Sequence, residues 1–107
     1  MRQNLINQIK QLTLFDPLPD ETTKLLVTIL SNIANNPGAI KYRQIKLDNP
    51  KFKAHIASVD SAIKILHLLG FTEADGFMKI AQVTSHDVDE FNFVIHEVVR
   101  CSFATNS

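Results

Sequence analysis

At 107 residues the chain is long enough for one small hydrophobic core and too short for two domains, so one module must carry whatever it does. With 45% hydrophobic and 21% charged residues it reads as globular rather than disordered or collagen-like, and no segment approaches the roughly 18 apolar residues of a membrane span. Eleven basic residues balance eleven acidic ones, so total charge calls for neither nucleic acid nor an anionic membrane as partner.

Met1-Arg2-Gln3-Asn4 leads into a polar-interrupted stretch rather than a signal peptide, and no export is expected. Apolar residues Leu5, Ile6, Ile9, Leu12 and, at its edge, Leu14 recur at helical spacing, which predicts a short amphipathic helix ending before Asp16-Pro17-Leu18-Pro19. Asp20 offers a capping oxygen to a second helix over 21–35, whose stripe is Leu25, Leu26, Ile29, Leu30 and Ile33. Asn36-Pro37 and Asn49-Pro50 each read as a helix start, with Asn as cap and Pro at the first helical position. Between them Ile40, Tyr42, Ile45 and Leu47 predict a short irregular helix with an apolar inner edge and a basic outer edge. A further short helix is expected from about Pro50 to Ile56.

Ser58 or Asp60 caps the next predicted helix, which carries Ala62, Ile63, Leu66, Leu68 and Leu69 and ends at Leu69, where Gly70 supplies a left-handed terminator. Phe71 and the alternation around Phe77, Met78 and Ile80, with Asp75-Gly76 as turn, predict a two-stranded hairpin. Thr84 or Ser85 caps a last helix with Asp87, Asp89 and Glu90 in its first turns and Arg100 near its end, as the macrodipole favours. Its apolar face is Val88, Phe91, Val94, Ile95, Val98 and Cys101, and Thr105-Asn106-Ser107 reads as a frayed end.

Charge is unevenly spread along the chain. Lys41, Arg43, Lys46, Lys51 and Lys53 face Asp48 alone in one run, which fits either a solvated face or a docking site for an acidic partner. Glu73, Asp75, Asp87, Asp89, Glu90 and Glu97 form an acidic counterpart.

No constellation of catalytic groups emerges. His55, His67, His86 and His96 are scattered, with no spacing that puts two metal ligands on one helical face. Cys101 is the sole cysteine, which excludes an internal disulfide, fits a reducing compartment such as cytosol or nucleus, and suits a small buried thiol better than a nucleophile. Asp87 and Asp89 are accounted for by a helix start, and Gly38, Gly70 and Gly76 are too isolated for a phosphate loop. The residues alone lead to a helical, non-catalytic binding module without cofactor or metal.

Five separated elements carry a resemblance: Asn32-Ile33, Asn36-Pro37, Lys41-Tyr42-Arg43, Asn49-Pro50 with Phe52, and Leu69-Gly70-Phe71. Over 25–71 the chain resembles the PUB domain family of peptide:N-glycanase, UBX-containing adaptors and the linear-ubiquitin ligase. The resemblance implies one α+β domain over residues 1–107, predominantly helical with a small antiparallel sheet. It also implies a cytoplasmic adaptor, monomeric, that binds the acidic, aromatic-ended C-terminal tail of a valosin-containing-type AAA ATPase, or a deubiquitinase peptide, in protein quality control. Neither nucleic acid nor membrane is an expected partner.

Carried over by position, Asn32 hydrogen-bonds the peptide, Tyr42 forms a wall, Lys41 and Lys46 meet its acids, Asn49 holds its backbone, and Gly70 and Phe71 shape the aromatic pocket; Asn36 lines the groove. Spacing alone leaves Tyr42 open between pocket wall and half-buried core aromatic, and Phe52 fits the core better. Asn36 and Asn49 precede prolines and read as caps first. Asn32 sits in an apolar helix with no cap to serve, which favours a ligand hydrogen bond. Asp48 departs from the family pattern, where a small or neutral residue is expected, and would repel an acidic tail. Two other readings stay open: the N-terminal module of a peptide:N-glycanase, and a structural domain with a degenerate groove.

Overall fold

The stripe at Leu25–Ile33 folds as its spacing predicts. In the computed structural model, which describes the backbone of residues 2–106 and the side chains of residues 4, 5 and 7–100, helix α2 (Asp20–Asn35) buries Leu26, Leu30 and Ile33. Its main partner is α5 (Ser85–Asn106), which contributes Phe91, Val94 and Val98 to the same core. Helix α1 (Arg2–Phe15) lays Ile9 into this core and lies against α5 and α4 (Asp60–Leu68). Leu14, expected at the edge of the α1 stripe, instead stands in solvent, as does Phe15. The side chains of Ile6 and Cys101 lie outside the described residues. Helix α5 continues through Asn106, past the expected fraying at Thr105, and Ser107 lies outside the described residues.

Helix ends differ from expectation in an instructive way. Asp20 and Asp60 are the first residues of their helices rather than caps, with Pro19 and Val59 before them, so their carboxylates complement the N-terminal dipole from inside the first turn. The cap of α4 comes from far away in sequence. The Asp16 carboxylate accepts from Ser61 N–H at 3.3 Å, and Ser61 Oγ donates to the Asp16 carbonyl at 3.0 Å, which ties the end of α1 to the start of α4. At α5 the expected cap forms: Thr84 Oγ1 accepts from Asp87 N–H at 3.2 Å while Asp87 Oδ2 accepts from Thr84 N–H at 2.9 Å, a reciprocal box with Asp in the Glu position.

Asn36 corrects another expectation, since it ends α2 instead of starting a helix. Its backbone N–H donates to the Asn32 and Ile33 carbonyls, and its Nδ2 donates to the Asn32 carbonyl at 3.1 Å. The chain then makes a 3-10 turn at Ile40–Tyr42 and a strand, β1 (Gln44–Lys46), where an irregular helix was expected. Asn49 does cap the following helix as predicted: its Oδ1 accepts from Lys51 N–H at 3.0 Å and Phe52 N–H at 3.2 Å, with Pro50 at the first position of α3 (Pro50–Phe52). The helix widens into a π turn at Lys53–Ala57, and the buried Thr22 hydroxyl donates to the His55 carbonyl at 2.6 Å, fastening that turn to α2. Asn49→Ala should lower stability by about 1 kcal/mol while Asn49→Asp keeps it, because only the capping oxygen is lost in the first; thermal unfolding of both variants checks this.

Gly70 closes α4 as predicted, at φ +104°, a conformation that side chains resist. Phe71 N–H donates to the Leu66 carbonyl at 3.0 Å and Gly70 N–H to the His67 carbonyl at 3.1 Å, the paired bonds of a Schellman motif. The hairpin of β2 (Thr72–Ala74) and β3 (Phe77–Lys79) turns through Asp75 (φ 54°) and Gly76 (φ 80°), both left-handed as a type I′ turn requires. Strand β1 joins it, so the sheet has three antiparallel strands in the order β1-β3-β2, with Ile45 opposite Met78 and Gln44 opposite Lys79. The fold is mostly helical α+β, as expected, with one more strand than the hairpin.

Candidate functional site

Five of the eight residues singled out in the sequence lie on one run of chain: the C-terminal end of α2, the 3-10 turn and β1. The turn, which carries Lys41 and Tyr42, touches both α2, which carries Asn32 and ends at Asn36, and β1, which carries Lys46. Asn49 is held close behind, its backbone N–H donating to the Lys46 carbonyl at 3.1 Å. Asn32 is half-buried; Asn36, Lys41, Lys46 and Asn49 are exposed.

Tyr42 is half-buried and packs on the core with its ring beneath Lys41, whose Nζ lies 5.0 Å from the ring centroid. This cation–π contact steers the ammonium across the ring's face. Arg43, by contrast, is spent internally. Its Nη1 donates to the Ala81 carbonyl at 2.9 Å, its backbone carbonyl accepts from Ile80 N–H at 3.0 Å, and its Nε is buried. The basic charge open to a ligand therefore comes from Lys41, Lys46, Lys51 and Lys53, all exposed, with exposed Asp48 among them.

Gly70 and Phe71 do not join this cluster as side-chain partners. Phe71 is 1% exposed, its ring stacked on Phe91 with centroids 6.2 Å apart. It is a core residue, which corrects its expected place in an aromatic pocket. Gly70 is exposed at the α4 terminus, ahead of β2, the strand farthest from β1 in the sheet. Phe52 is 1% exposed and is core, the better-fitting of its two readings.

Two concave regions escaped the sequence reading. A shallow hollow of about 320 Å³ runs over the end of the sheet, lined by Ile40, Arg43, Gln44, Lys79, Ile80 and Ala81. A wider groove of about 660 Å³ separates α1 from α4, with Leu12, Phe15 and Leu68 along it and Asp16, Asp60 and Lys64 at its polar side. Ile40, expected on the apolar inner edge with Tyr42, Ile45 and Leu47, is instead 59% exposed beside the first hollow, which corrects that placement. The second depends on how α1 meets α4 and leaves no local trace.

His67 Nδ1 lies 3.1 Å from the Phe71 carbonyl and its Nε2 3.7 Å from Glu73, while His86 faces Glu90, so both are engaged locally. Among the described residues no three His, Cys, Asp or Glu side chains gather to hold a metal, and no helix is long and apolar enough to cross a membrane.

Comparison with known proteins agrees with a module for protein contacts. The human peptide-N(4)-(N-acetyl-beta-glucosaminyl)asparagine amidase is 38% identical over 55 residues, which are 51% of this chain and 8% of the amidase. The chicken amidase is 38% identical over 58 residues, 54% of this chain and 9% of that protein. Plant UBX domain-containing protein 2 of Arabidopsis thaliana is 28% identical over 82 residues, 76% of this chain and 18% of its length. The chain thus corresponds to a small part of each relative. The PUB domain model matches residues 20–101, from the start of α2 deep into α5, and the chain belongs to that family of protein-interaction modules.

Proposed function

We propose that this domain is a cytoplasmic, non-catalytic adaptor that receives the acidic C-terminal tail of an AAA ATPase of the valosin-containing type. The observation that carries the reading is the packing of the 3-10 turn against both α2 and β1, neighbouring elements that with the start of α3 carry the exposed or half-buried Asn32, Asn36, Lys41, Tyr42, Lys46 and Asn49, with Lys41 over the Tyr42 ring. Amides satisfy a peptide backbone, and lysines on long stems meet carboxylates without being buried. The similarity to the amidases favours the same module serving as the N-terminal part of a glycanase, a placement that leaves its own role unchanged.

A peptide of the ATPase's last ~10 residues should bind with micromolar affinity, since so short a ligand covers far less than the roughly 1,200 Å² of a stable complex. Isothermal titration with amide shift mapping tests this. Asn32→Ala should weaken binding by about 1–3 kcal/mol if its carboxamide meets a desolvated peptide group. Absence of heat together with unmoved amide peaks would sink the adaptor reading, and equal affinity in the Asn32 variant would return that residue to a structural role.

A further inference from the structure

The parity of the sheet hydrogen bonds determines what its two outer edges offer. Leu47 N–H donates to the Gly76 carbonyl and Ile80 N–H to the Arg43 carbonyl, both at 3.0 Å, and Ile45 stands opposite Met78 between them. Arg43, Ile45 and Leu47 therefore turn their peptide groups toward β3. In an antiparallel ladder the alternate residues turn theirs away, so Gln44 and Lys46, both exposed, present theirs at the open edge. The Lys46 carbonyl is taken by Asn49 N–H. What remains is the N–H and carbonyl of Gln44 and the N–H of Lys46, enough for a short ladder.

The same parity governs the opposite edge. The two-residue turn joins Ala74 to Phe77, and Thr72 pairs with Lys79, so β2 presents Glu73 outward. The two edges thus carry opposite charge: Lys46 on one, with Lys41 and Lys51 flanking it in the chain, and Glu73 on the other. An edge lysine discourages pairing with another neutral or basic strand, and the same lysine attracts an acidic one.

We propose that an extended acidic segment of the partner protein adds to β1 as a fourth strand, hydrogen-bonded to Gln44 and Lys46. This rests on the proposed function and deepens it, since it names how the tail's backbone is held. Gln44 and Lys46 share the outer face of the sheet with Lys79 and Phe77 opposite them. Side chains of an added strand alternate between the two faces. Acids at every second position would then lie beside Lys46 and near Lys79, with the intervening residues on the Ile45 side, so the preferred segment alternates acidic and apolar residues.

Amide hydrogen exchange on the whole 107-residue chain, with and without saturating tail peptide of about ten residues, tests the mode. Exchange at Gln44 and Lys46 should slow at least tenfold, while Ile45 and Leu47, already bonded to β3, change little. N-methylation of single peptide amides should weaken binding tenfold or more at alternate positions and little at those between. A peptide that binds without protecting Gln44 and Lys46, that protects Glu73 instead, or that responds to N-methylation with no alternation overturns strand addition and leaves the adaptor reading standing. A peptide that does not bind at all defeats both.

Discussion

Replacing Phe71 with alanine should lower the free energy of unfolding by about 3–5 kcal/mol, the usual cost of deleting a buried aromatic ring. The ring is 1% exposed, stacks on Phe91 of α5, and follows directly on the Schellman bonds that end α4. Its loss opens a cavity where the sheet, α4 and α5 meet, and removes the contact that fixes the direction of the chain after Gly70. Domains of this size hold about 5–15 kcal/mol in total, so the variant should stand near the limit of folding. Phe15→Ala is the matching control: at 90% exposure it should change stability by less than about 0.5 kcal/mol. Urea denaturation of both measures this, and a Phe71 variant within about 1 kcal/mol of wild type, with its midpoint slope unchanged, would show the ring to be peripheral and return it to the binding surface.

Phe71 also illustrates what sequence can and cannot convey. An aromatic after a helix-ending glycine marks a close packing point in either reading, and only the position of Phe91, twenty residues on, shows that the ring turns inward. Features whose physics is local were legible: the stripe of α2, the left-handed terminator at Gly70, the turn at Asp75-Gly76, a cap at Thr84 or Ser85, the cap at Asn49. Features that depend on distant partners were not. Asp60 looked like a cap because aspartate favours both the cap and the first turn, and the group that serves Ser61 N–H comes from Asp16. Strand β1 is three residues long and exists because β3 offers it a ladder; the Gln44-Ile45-Lys46-Leu47 alternation was its only local sign. The candidate site was singled out by a family resemblance rather than by local physics. Its residues from Asn32 to Asn49 are close in the chain, so the short links between α2, the turn and β1 bring them together.

Reversing two charges on that surface should have the largest effect on binding. Lys41→Glu with Lys46→Glu replaces two attractions by two repulsions, each exchange amounting to roughly 1–1.5 kcal/mol at an exposed site, so affinity for an acidic tail peptide should fall roughly 30- to 160-fold. Both ammonium groups are exposed and neither is in an ion pair within the domain's core, so the fold should persist, and the circular dichroism spectrum should match wild type. Asp48→Asn should act in the opposite sense and by less, a few-fold tightening, because it removes one repulsion from the turn between Lys46 and Asn49. Salt separates charge from shape: with a Debye length of about 10 Å at 0.1 M and about 3 Å at 1 M, the gap between wild type and the double variant should narrow as salt rises. Fluorescence anisotropy with a labelled tail peptide at both salt concentrations measures all three proteins. If the double variant bound as tightly as wild type at low salt, the basic run would be a solvated face, and the peptide would have to be sought elsewhere on the domain.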